Sequence, residues 1–295
     1  MISRGIVVAA SAVAALTLAA CASSSNNGGG GGNSTSNTGA GSSAPPSCTP
    51  ATMHTHTSGT LTVGTDSPAY EPWFSNNKPS NGKGFESAVA FAVAKQLGYS
   101  ASQVKWIVAP FNSVIAPTPK KFDFDINEVS ISTKRAQAVD FSSGYYDVAQ
   151  AVVALKANKY ASATTIAGLK GAKLGAQKGT TSFDAINNVI KPGRTPLEYP
   201  TNDLAVQALK NGQIDGLVVD LPTGLYVTAA QVDNSKIVGQ LAVTGQPEQF
   251  GLVLDKGSSR TSCVSQAGDA LRADGTLANL QKQWLTTSAG APELK

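Results

Sequence analysis

Arg135 lies in the stretch SISTKRAQAVDFS, Ser130 to Ser142, among hydroxyl side chains and just after a strand-like run. A guanidinium carries five N–H donors in a planar fork, a geometry that grips an anion such as a carboxylate bidentately. The residues from Arg135 onward read as the start of a helix, where the backbone dipole disfavours positive charge, so another partner should hold the side chain. Two further segments carry complementary chemistry. Gly179-Thr180-Thr181 opens a predicted helix, and helix starts favour anions. Asp220 closes the strand-like IDGLVVD and, with a hydroxyl such as Ser130, can take an ammonium group. An arginine, a set of amides and a carboxylate are together the partners of a zwitterion, and a free α-amino acid carries both charges on one carbon. Each residue also has a plainer role open to it. Arg135 can pair with Asp140 or Glu128, Asp220 can cap the turn at Leu221-Pro222, and Thr180 and Thr181 can be ordinary caps.

These groups need elements to position them, and from residue 60 strands and helices alternate: LTVGT, the helical FESAVAFAVAKQLG, QVKWIV and KFDFDINEVSI. A second series follows, with AVVALK and KLGAQ as strands, GTTSFDAINNVI and NDLAVQALKNG as helices, and IDGLVVD as a strand. QFGLVLDK and two closing helices have no sheet of their own and are expected to return to the first series. The pattern predicts an α/β fold with two open sheets flanked by helices and a two-strand hinge, and a cleft between the lobes. Ligands of open α/β sheets sit beyond the carboxyl ends of strands, which puts Asp66 beside the same cleft. The expected division is lobe 1 at 58–153 plus 251–295 and lobe 2 at 154–250.

The first twenty residues, with one positive charge and an apolar run ending in small residues, read as an export signal. Leu18-Ala19-Ala20-Cys21 resembles a bacterial lipobox, which makes Cys21 the expected lipidation site and membrane anchor. Residues 21–57 are nearly all Gly, Ser, Asn and Thr at first and are expected to be a flexible linker. In an oxidising compartment the remaining cysteines form an even pair, so Cys48 and Cys263 are expected to be bridged. A net charge of +4 on 295 residues is too mild for a nucleic-acid partner. His54 and His56 lack further ligands, so neither a metal nor a cofactor is expected.

From about residue 58 to the end the chain resembles the family 3 solute-binding proteins, the amino-acid receptors of ABC importers. The resemblance rests on GKGFESAVAFAVAKQLG, on KFDFDINEVSISTKRAQAVDFSSGYY, and on QKGTTSF, NGQIDGLVVD and DGTLANLQKQW. It implies the type II, periplasmic-binding-protein-like, two-lobed fold. It also implies that Arg135, Gly179, Thr180 and Thr181 hold the ligand carboxylate and that Ser130 and Asp220 hold the ammonium. Tyr70 matches the family's aromatic lid and Phe111 its partner across the ligand side chain, whereas Trp73 reads as core. Departures fall at Asp66, at PFNSVIAPTPKK with its prolines, and at Glu128, which stands where the family has a small residue. Asp66, Glu71 and Glu128 make the expected pocket acidic, with Asp125 either adding to them or serving a structural role, which favours a cationic or amide side chain. The implied partners are a free amino acid and an ABC-transporter permease, with the receptor itself monomeric and not an enzyme. The rivals are an enzyme of the same fold, of the cyclohexadienyl dehydratase kind, and a sensory lipoprotein.

Overall fold

The computed structural model describes residues 48–243, 245–285 and 291–295. The export signal, the lipobox with Cys21 and the linker up to residue 47 lie outside the described residues. The body holds two sheets. The first has the order β2-β1-β3-β10-β4, with β1 at Leu61–Thr65, β2 at Val104–Val108, β3 at Phe124–Asp125, β4 at Val139–Val148 and β10 at Glu248–Asp255. The second has the order β11-β9-β5-β8-β6-β7, with β5 at Gln150–Leu155, β6 at Leu174–Gln177, β7 at Leu197–Tyr199, β8 at Gly216–Asp220, β9 at Ser235–Leu241 and β11 at Glu293–Leu294.

Strand alternation gives each sheet two buried faces. In the second, Val152 and Val218 face one apolar cluster with Leu174 and Ile186, whereas Val153, Leu217 and Val219 face another with Val206 and Leu209. In the first, Trp73, Phe85, Phe124 and Phe250 pack on one side beneath the helices α1 (Phe85–Gln96), α6 (Thr261–Ala273) and α7 (Thr276–Trp284). Phe111, Phe122, Val129 and Val253 fill the other side. Gly84, at φ +92°, starts α1. A Cβ there would lie 2.4 Å from the Trp73 carbonyl oxygen, so the loop carrying Tyr70 and Trp73 can lie against the helix only over a glycine.

The chain crosses between sheets earlier than expected. β4 stays paired with β10 up to Val148↔Glu248, and Gln150 is already opposite Asp220 in the second sheet. The crossings are therefore Ala149 and the segment between Leu241 and Glu248, not Val153 and Phe250, because ladder pairing runs to the last residue on each side. The last residues also depart from the expected lobe 1. Leu294 is buried and β11 pairs parallel with β9, so 291–295 belong to the second sheet. The linker, expected to reach residue 57, has joined the body by Cys48: Met53 is buried in the first core and the His56 amide donates to Asp123 Oδ1 at 2.9 Å.

Cys48 and Cys263 are bridged by a disulfide that closes 215 residues of sequence. A bridge over so long a span restricts the unfolded chain and stabilises by about 2–4 kcal/mol. The Cys48→Ser/Cys263→Ser double variant should melt roughly 5–10 °C below the parent in scanning calorimetry. An unchanged melting temperature would remove the bridge from the account of stability.

Candidate functional site

Between the sheets lies a cleft of about 550 Å³, its mouth included, within the usual range for small-molecule sites. Asp66, Tyr70, Phe111, Glu128, Arg135, Thr180, Thr181 and Asp220 all line it, joined by Asn127, Gln177 and Asn202. Residues spread over 155 positions of sequence thus meet in one cavity because β1, β3, β6 and β8 all end at it.

Arg135 is buried, 8 % exposed, and its guanidinium lies 5.3 Å from the centre of the Phe111 ring. Nη1 donates to the Ser130 carbonyl at 2.7 Å and Nη2 to the Gly179 carbonyl of the opposite lobe at 2.9 Å. Two of five guanidinium hydrogens are so engaged, which leaves donors for an anion in the cleft. The ion pairs that would have made Arg135 purely structural are not formed. Asp140 is held by Lys256 at 3.1 Å and by Thr261, and Glu128 by Thr223. Arg135 opens a single 3-10 turn, Arg135–Gln137, rather than the expected helix, so no helix dipole opposes its charge.

Asp220 precedes α5 (Leu221–Tyr226) but makes no side-chain cap; its Oδ1 accepts from Gln150 Nε2 at 2.6 Å. Burial, then the charges of Glu248 and Glu128, push its carboxyl well above the usual aspartate range. Glu128 adopts a left-handed backbone, φ +51°, with its amide donating to Glu86 Oε1 at 2.7 Å. The strand expected over KFDFDINEVSI ends after Asp125, and Glu128, three residues further on, lines the cleft. Burial and the neighbouring Glu86 raise Glu128 to about 8, and burial raises Glu86, which also accepts from the Tyr145 hydroxyl, to about 7.

Two expected ligand residues are placed differently. Ser130 is buried outside the cleft lining, its hydroxyl donating to Glu248 Oε1 and lying 3.2 Å from Thr181 Oγ1. Its carbonyl, not its hydroxyl, serves the site by holding Arg135. Gly179, at φ +78°, likewise offers its carbonyl to Arg135 and is not part of the cleft wall. Thr180 caps α3 (Thr181–Ala185), accepting from the Phe183 amide at 3.2 Å, and still lines the cleft. Asp66 accepts from the Ser67 and Phe111 amides and so fixes the loop that carries Phe111. Asp203 and burial together raise the Tyr70 hydroxyl, burial contributing most.

Sequence reasoning missed Glu248 and Gln150. They flank the two crossings, and Gln150 Nε2 donates to both Asp220 Oδ1 and Glu248 Oε2, the latter at 3.1 Å. Gln150, a polar residue opening the apolar run AVVAL, was the one available signal. Trp73 is core, as its composition suggested, yet its indole N–H reaches the opposite lobe at Thr223. Among the described residues no group of three or more His, Cys, Asp or Glu side chains is arranged to hold a metal ion.

Two open α/β sheets, two chain crossings and a charged cleft between them define a type II periplasmic binding protein fold. Residues 61–287 match the bacterial extracellular solute-binding proteins, family 3, and the chain belongs to that family. The L-cystine-binding protein TcyJ of Escherichia coli strain K12 is 30% identical over 234 residues, covering 77% of this chain and 82% of that protein. An ancestral arginine-binding protein bound to glutamine superposes with a TM-score of 0.64 at 32% identity, covering 78% of this chain and 99% of that one. An ancestral amino acid-binding protein described as a precursor of cyclohexadienyl dehydratase superposes with a TM-score of 0.61 at 27% identity, covering 77% and 95%. These relatives are amino-acid-binding proteins, and the general role of this chain is the same: it is a solute-binding protein of amino-acid transport.

Proposed function

We propose that this protein is a lipid-anchored extracytoplasmic receptor that captures one free amino acid with a cationic or amide side chain and delivers it to an ABC-transporter permease. The carrying observation is the charge pattern of the cleft: one arginine, Arg135, faces Asp220, Glu128 and Asp66. Arg135 takes the ligand carboxylate and Asp220 its ammonium. Both charges of the zwitterion are then paired, and Glu128 and Asp66 remain for the side chain. Burial first and the Glu86 charge next hold Glu128 near 8; a cationic side chain beside it offsets both, whereas an anionic one adds to the repulsion.

Capture is by closure. Lobe 1, built on the first sheet, and lobe 2, built on the second, turn about Ala149 and the segment before Glu248, and excluding water strengthens every charge contact inside. The anchor is Cys21, on the leash that ends where Cys48 is bridged to Cys263. Binding without turnover is the reading favoured over an enzyme of the same fold, because Arg135 and Asp220 supply the two charges a zwitterion needs and the relatives named above are binding proteins.

A thermal-shift screen against the common amino acids tests this. A ligand at a hundred times its Kd adds about 2.7 kcal/mol, a rise of several degrees for a body of this size. Arginine, lysine, histidine or glutamine should give the largest rise and be recovered intact. Aspartate or glutamate as the best ligand, or no response to any amino acid, would sink the reading.

A further inference from the structure

We propose that Thr223 is a positioning residue that latches the lobes together without touching the ligand: it joins Trp73 to Glu128 across the cleft. The Trp73 indole N–H donates to Thr223 Oγ1 at 2.8 Å, and the Thr223 hydroxyl donates to Glu128 Oε2 at 2.6 Å. One hydroxyl on lobe 2 thus makes both of these bonds to lobe 1, one as acceptor and one as donor.

Both partners on lobe 1 are held rigid. The Trp73 ring is fully buried and packs edge-on against Tyr146 and Phe250, each 5.6 Å away centre to centre. Glu128 is fixed by the hydrogen bond from its own amide to Glu86. Lobe 1 therefore presents a donor and an acceptor close together, in contact with each other, and α5 of lobe 2 brings a side chain that bonds to both. Thr223 is 5 % exposed and outside the wall of the amino-acid cleft, so the bonds form in a dry place where they count for more than in water.

The latch rests on the reading that the cleft closes on an amino acid, and it predicts a particular signature. A residue that acts only on closure changes the fraction of closed protein, and so scales the affinity of every ligand by one factor. Thr223→Val keeps the shape and removes donor and acceptor. It should weaken binding of L-arginine and L-glutamine equally, by about tenfold or more, mainly through faster release. Thr223→Ser, which restores the hydroxyl, should bind within about threefold of the parent on the same grounds.

Calorimetry and stopped-flow release with those two probes decide between outcomes. Affinity of Thr223→Val within twofold of the parent for both probes overturns the latch, and so does loss for one probe alone, which would mean that Thr223 acts on the ligand side chain, directly or through Glu128. If neither probe binds the parent, the amino-acid reading is what fails. The latch is then judged on the indole N–H resonances of the three tryptophans: the Trp73 signal must shift in Thr223→Val and not in Thr223→Ser, and an unmoved signal overturns the proposal.

Discussion

Arg135→Ala should lose amino-acid binding by about 3–5 kcal/mol, the cost of deleting one partner of a buried ion pair and leaving the other unpaired. For a receptor of micromolar affinity, about 8 kcal/mol in all, this leaves no useful binding. The loss should exceed that of any other single change at the cleft. Ser130 and Gly179 carbonyls polarise the guanidinium, Phe111 supports it, and no carboxylate of the protein spends it on a salt bridge among the described residues. Arg135→Lys should recover only part of the loss, since an ammonium cannot bridge the carbonyls and grip a ligand carboxylate in the same plane. Titration calorimetry checks both variants, with melting of the ligand-free proteins as the control for folding. An Arg135→Ala protein within a few-fold of the parent would show that the ligand carboxylate is held elsewhere.

Asp220→Asn should weaken binding by roughly a hundredfold or more while making the ligand-free protein more stable, because the same carboxylate serves the ligand and burdens the empty fold. Its carboxyl is raised by burial first and by Glu248 and Glu128 next, with Gln150 and Arg135 only partly offsetting them. For an acid whose folded pKa is raised, stability is fully present below the unfolded value, ~4 for aspartate, and is lost as pH rises through the folded value. The amide has no such loss. The melting temperature of Asp220→Asn should therefore match the parent near pH 4 and exceed it increasingly toward pH 8. A parent that melts higher than the variant at pH 8 would mean that Asp220 is a structural anion rather than a ligand group.

Some of this protein was open to reading from residue types in order. Arg135 and Asp220 could be read because the first follows a strand-like run and the second closes one, and ligand groups of open sheets sit at strand ends. Glu128 could be noticed as an acid out of place but not understood. Its left-handed backbone and the support of Glu86, 42 residues away, are tertiary facts. Ser130 misled in the opposite direction. A hydroxyl near a predicted site invites a ligand role, yet Glu248, 118 residues on, accepts its hydrogen bond.

The order and spacing of residues determined the alternating α/β elements, and the resemblance of its ordered motifs pointed to the family that residues 61–287 match. Each depends on neighbours in sequence: periodicity, caps and motif spacing are local. Only the folded chain decided where the sheets exchange strands, that Gln150 and Glu248 guard the crossings, and that Thr223 bridges Trp73 and Glu128 over separations of 150 and 95 residues. A hydroxyl, an amide or a carboxylate is suited to many partners. Which one it meets is settled by packing two separately formed cores against each other, and no local pattern encodes that choice.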